Sequence, residues 1–172
     1  ATGRIDSTAG SVLSAGMSSS GAVPLGTGQL NLQGGSAGTV DLKGLTLAGQ
    51  SIHAQAGAID LRGQDLLTQR ITLQAGAGDL LAQGSSLQAL QQLQLDATGQ
   101  LRTDNAALGA TQIAVTAREW NLQGGTLQQV GTASADASIQ VTDRIDLGGA
   151  TVAANANALT VSSQSLQLNG AA

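Results

Sequence analysis

The sequence predicts an all-β protein: a parallel β-helix, or solenoid, of about 8 coils of roughly 20 residues with three short strands per coil. Three observations predict it. One phrase of apolar residues and glycine returns from end to end, apolar and polar positions alternate within it, and the composition suits a narrow cross-section.

The phrase reads Val40-Asp41-Leu42-Lys43-Gly44 with Leu47, then Ile59-Asp60-Leu61-Arg62-Gly63 with Leu66. It continues as Leu80 to Gly84 with Leu87, Leu101 to Asn105 with Leu108, and Trp120 to Gly124 with Leu127. Ile145 to Gly149 with Val152, and Leu166 to Gly170, close the series. The terminal positions Gly44, Gly63, Gly84, Asn105, Gly124, Gly149 and Gly170 step by 19, 21, 21, 19, 25 and 21 residues. A second phrase precedes each first one: Leu30-Asn31-Leu32, Ile52-His53-Ala54, Ile71-Thr72-Leu73, Leu93-Gln94-Leu95, Ile113-Ala114-Val115, Ile139-Gln140-Val141 and Leu159-Thr160-Val161. The stretch from Ile5 to Gly16 has the same 11-residue reach and is read as an eighth, N-terminal coil.

Alternation over three to five positions is the strand period. Strands this short, separated by Gly, Ser, Asn or Asp, pair instead with their counterparts one coil away, about 4.8 Å distant, so that eight coils stack to roughly 38 Å. Inward positions then form apolar ladders. Asp41, Asp60, Asn121, Asp146 and Gln167 fall in slots expected to face water. The glycine station is expected to be a corner with positive φ, which glycine adopts without steric cost. Asn105, where other coils have glycine, supports this, because asparagine tolerates that region best after glycine.

Composition agrees. The 172 residues include 24 Gly, one Trp, one Pro, one Met and no Phe, Tyr or Cys. Leu, Ile, Val and Ala alone fill a thin core, whereas globular cores lean on aromatic side chains. A net charge of −4 with seven scattered basic residues argues against a nucleic-acid partner. No run approaches 18 apolar residues, and no basic stretch followed by an apolar one opens these residues, so neither membrane insertion nor a signal peptide is expected in them. The lack of Cys says nothing about compartment.

Two coils are longer than the rest. Residues 17–29, with Pro24, and residues 128–138 are expected to emerge as loops. Loops on rigid scaffolds commonly carry recognition, which makes Pro24, Gln128, Gln129 and Val130 candidate receptor contacts. Neither end has an evident polar cap, so the chain is read as one β-helix segment, 1–172, of a longer rod.

No constellation predicts catalysis, a cofactor or a metal. His53 is the single histidine and is read as a surface side chain; Trp120 takes an inward slot and is read as core. The acidic residues are read as dispersed, although Asp41 and Asp60, one coil apart, could meet the separation that glycoside chemistry needs. Gly76-Ala77-Gly78 lacks a following Lys and is no phosphate loop.

The period, the Leu-x-Leu pairs, the Asn-Leu-Gln-Gly-Gly string at 121–125 and the near-absence of aromatics resemble the repeat region of filamentous haemagglutinin-type exoproteins of bacterial two-partner secretion. That family includes contact-dependent growth inhibition effectors, and the resemblance covers residues 3–170. It implies a right-handed β-helical fibre, secreted through an outer-membrane two-partner secretion transporter that acts on parts outside this segment, and displayed on the bacterial cell surface. The expected function is a rigid spacer with a role in attachment to a host or bacterial cell-surface receptor; the alternative is a polysaccharide-active β-helix lyase or hydrolase.

Overall fold

The protein is seen in a computed structural model that describes residues 12–14, 28–44, 46–131, 136–155 and 158–172. The described residues are all-β, without helix, and their parallel strands stack as a solenoid of about 6 turns. In chain order the strands are β1 (Val12–Ser14), β2 (Gln29–Gln33), β3 (Thr39–Asp41), β4 (Thr46–Ala48), β5 (Ser51–Ala56), β6 (Ala58–Asp60), β7 (Asp65–Ala75) and β8 (Leu80–Leu81). There follow β9 (Ser86–Arg102), β10 (Ala107–Ala110), β11 (Gln112–Asn121), β12 (Thr126–Gln129), β13 (Ala137–Asp146), β14 (Thr151–Ala154), β15 (Leu159–Ser162) and β16 (Ser165–Gln167).

Every coil crosses three faces. On the first, β2, β5 and the second part of β7 stack in register, as Leu30↔Ile52 and Ile52↔Ile71 show. On the second, β3, β6 and β8 align Val40, Ile59 and Leu80. On the third, β10 lies between β9 and β12, aligning Leu87, Leu108 and Leu127. Long strands such as β7 and β9 run around a corner, and the register shifts there, between Thr68 and Arg70.

The alternation of the sequence becomes alternating burial. In β7 the inward Leu66, Ile71 and Leu73 are buried while Asp65, Leu67 and Arg70 are exposed. The core is one continuous set of ladders, with Leu73, Leu87, Leu93, Leu95, Leu101 and Leu108 fully enclosed. Burying one such side chain stabilises by about 1.5–3 kcal/mol, so the apolar ladders are the main favourable contribution of each coil.

All seven corner positions have positive φ, from 55° at Asn105 to 72° at Gly44. Six of the seven corners are seen as tight turns closed by a backbone bond, such as Gln64 N to Leu61 O at 3.0 Å and Gly125 N to Leu122 O at 2.9 Å. In four coils the residue that opens the corner caps it as well. The side-chain oxygens of Asp41, Asp60, Asn121 and Asp146 accept the N–H two residues on, at 3.0–3.1 Å. These residues tolerate the turn because their short side chains bond locally to backbone. The corner amides then bond to the next coil, as Gly63 N to Gln83 O at 3.0 Å and Gly124 N to Gly148 O at 2.9 Å.

Several expectations change. The eighth coil read at Ile5 to Gly16 falls outside the described residues except for β1. There Leu13 pairs with Leu47, the station three residues after a corner. The pair Ile139/Val141 is displaced by two: Ile113 faces Ala137, and Ile139 faces Val115. The longer insertions are also shorter than their sequence bounds. Gln29 already belongs to β2, and Gln128 and Gln129 belong to β12; glutamine serves as well in an outward ladder, at Gln29 and Gln128, as in a loop, and Gln129 turns inward. Ala137 and Ser138 likewise begin β13.

Candidate functional site

Stacking gathers the charges. Asp41, Lys43, Asp60, Arg62, Asp79, Arg102, Asp104, Glu119, Arg144 and Asp146 all lie on or beside the second face, whereas the sequence made the carboxylates look dispersed. Spacings of 17–25 residues hide such a stripe until the register is fixed.

Two slots expected to face water do not. Asp60 and Asp146 are only 8% and 7% exposed. The reason is their partners. Lys43 Nζ sits 3.3 Å from Asp41 Oδ2 and 3.1 Å from Asp60 Oδ2, bridging two coils. Arg62 Nη2 lies 2.7 Å from Asp60 Oδ2, and Arg144 Nη2 lies 2.7 Å from Asp146 Oδ2. Burial raises the Asp60 carboxyl, but hydrogen bonds from the Arg62 side chain and backbone and from Lys43 outweigh it and hold the group below its ordinary 3.8. Asp146 is held down in the same way: burial opposes, while the Gly148 amide, Gln123 and Arg144 prevail. The Asp41/Asp60 pair considered for glycoside chemistry is thus bridged by a cation, and Asp60 is kept ionised.

Farther along the same face lies a depression of about 210 Å³. Its walls are the outward side chains of three coils: Gln100 and Arg102, Glu119 and Asn121, Arg144 and Asp146. Gln100 Nε2 donates to Glu119 Oε2 at 3.1 Å, and Gln123 Nε2 donates to Asp146 Oδ2 at 2.9 Å. A general acid needs a carboxyl pushed upward, and Asp146 is pushed the other way. Beneath this depression Trp120 is 2% exposed, and its Nε1 donates to Thr103 Oγ1 at 2.9 Å. Thr103, in a slot where the neighbouring coils carry Ala82 and Leu122, in turn donates to Asn121 O at 3.0 Å. Trp120 is therefore core, and its one polar atom is satisfied.

The sequence-derived contact candidates do not converge. Pro24 lies outside the described residues. Gln128 is exposed on the third face, Gln129 is 3% exposed with Nε2 on Thr111 O at 2.8 Å, and Val130 is 42% exposed at the following corner. His53 is half-buried on the first face between Asn31 and Thr72. Gly76-Ala77-Gly78 forms the bend between β7 and β8. Among the described residues no group of three or more His, Cys, Asp or Glu could hold a metal ion, and no helix is long and apolar enough to cross a membrane. No family model, curated protein or solved structure matches this chain.

Proposed function

We propose that the chain is a fibre segment of a large secreted bacterial adhesin or contact-dependent inhibition protein, exposed at the cell surface. It acts as a rigid spacer and as a surface for attachment to host or target cells. Export would run through an outer-membrane two-partner secretion transporter reading parts of the parent outside this segment. The observation that supports this reading most is the unbroken stacking itself. Each strand pairs only with its counterparts in adjacent coils, so reach grows by repetition at little entropic cost. Glutamine amides that bridge coils, such as Gln50 Nε2 to Gln69 Oε1 at 3.2 Å and Gln74 Nε2 to Asp96 Oδ2 at 3.3 Å, order the surface along with the core.

Binding of the labelled, purified chain to intact epithelial cells and to intact bacteria tests the reading. Saturable binding to either supports attachment and names the target class; absence of binding to both leaves only the spacer. Deleting the insertion between β12 and β13 is expected to spare folding and weaken cell binding; undiminished binding would remove that insertion from the contact.

A second reading, a polysaccharide lyase or hydrolase, is favoured by one observation: charge of both signs lines the second-face depression. Turnover of uronate or pectin-like polymers, abolished by Glu119→Gln or Arg102→Gln, would establish it.

A further inference from the structure

The strands that flank the two sequence insertions place both at one and the same corner of the cross-section. β1 lies on the third face and β2 on the first, and the chain between them crosses that corner; the chain from β12 to β13 crosses it again. Between these two points the coils turn it in one or two residues: Gly49-Gln50, Gln69, Leu90-Gln91 and Thr111. The insertions thus bracket a strip of four coils, about 14 Å long at the strand spacing.

Two shallow, open depressions lie along that strip. Depressions of about 140 Å³ and about 420 Å³ share Arg70 and Gln91. The first is lined also by Gln50 and Gln69, the second by Thr111 and Gln112. Arg70 is exposed, is the one charged side chain lining either depression, and has no hydrogen bond or ion pair among the described residues. Leu90, 55% exposed, offers an apolar patch in the second depression.

From this arrangement we infer a binding groove for a linear oligosaccharide carrying carboxylate groups, with one carboxylate seated on Arg70. A side-chain amide is both donor and acceptor, as a sugar hydroxyl is, so a run of glutamines matches a hydroxyl-rich chain without fixing its direction. A guanidinium receives a carboxylate through two parallel bonds, and Arg70 has no competing partner. Leu90 meets the C–H face of a ring. A single cation among amides suits a polymer with one carboxylate per ring, of uronate type, rather than a densely sulfated one with several charges per ring. With no aromatic platform, the affinity belongs on the order of 1 mM. The inference rests on the attachment reading only for the surface being accessible.

The experiment is a titration of the intact, ¹⁵N-labelled chain with tetragalacturonate, and in parallel with the neutral cellotetraose, followed by NMR. The side-chain amides of Gln69, Gln91 and Gln112 are expected to shift, with about 10-fold preference for the charged oligomer. Arg70→Gln abolishes that preference while Arg144→Gln, on the second face, preserves it. Because Arg70 holds no partner, the variant keeps the wild-type amide dispersion. Shifts centred on the second face, or a preference unchanged in Arg70→Gln, would overturn the assignment. Cell binding separates the two readings. Tetragalacturonate bound at Arg70 by a chain that binds no cells confirms the groove and sinks attachment. Cell binding undiminished in Arg70→Gln, with no oligosaccharide shifts, retires the groove and leaves attachment standing.

Discussion

At Gly63 a Cβ would find nothing within 4 Å, so a substitution there probes the backbone alone. With φ at 69°, Gly63→Ala is expected to cost about 1–2 kcal/mol, and Gly63→Asn less, in denaturant unfolding. Equal losses for the two would mean that the corner does not depend on left-handed tolerance. Gly124 differs, because a Cβ would come 2.6 Å from Asn105 Oδ1, adding a steric term that the flexible amide can relieve. The corner was readable in the sequence because positive φ has a chemical signature, and Asn105 carries it as plainly as glycine. Thr103 was not readable. One hydroxyl in a slot of Leu and Ala looks like drift until Trp120 Nε1 is seen to donate to it. Thr103→Val strands that N–H in the core and should lower stability by about 1–3 kcal/mol, followed by the fluorescence of the single Trp; an unchanged midpoint would show that the indole finds another acceptor.

Between strands the decisive terms are register and charge. The in-register ladders were legible wherever both inward residues are large, as in Ile71/Leu73 and Leu93/Leu95. They failed at β13, where Ala137 holds the station that Ile holds in β11, and alanine occurs as readily outside as inside. The charged stripe of the second face was hidden for a related reason: it is a property of stacking, and no local window contains it. Its energetic consequence has a definite sign. Asp60 and Asp146 are held below 3.8, so their contribution is fully present above that pH and is lost as the pH falls through the lower folded values. Acid titration of stability should therefore decline below about pH 4, and Asp60→Asn should flatten that limb. An unaltered acid limb in Asp60→Asn would show that the Lys43–Asp60–Arg62 network does not contribute to the fold.

Taken whole, the molecule is one-dimensional, and position along the axis should decide how much a core residue contributes. Leu95, fully enclosed in the middle, and Leu159, 40% exposed in the last described coil, occupy inward columns of the same face. Leu95→Ala is expected to cost about 2–5 kcal/mol, Leu159→Ala less than about 1 kcal/mol, and amide exchange should be slowest around β9 and β11. Uniform exchange from coil to coil would contradict this gradient. The repeat and its solenoid architecture were legible from period and composition; the placement of surface chemistry was not, because equal spacing in sequence does not reveal which corner a residue turns. One feature of the cross-section sorts the corners by tolerance. Chain length is constant around the glycine corner, where tight turns and coil-to-coil bonds hold the chain, yet it ranges from a single residue to a long insertion where the third face meets the first. Foreign peptide grafted after Gln129 should thus be carried without loss of assembly, whereas the same graft after Gly84 should scramble the ladders on both sides. The rod has, in effect, a seam built for cargo.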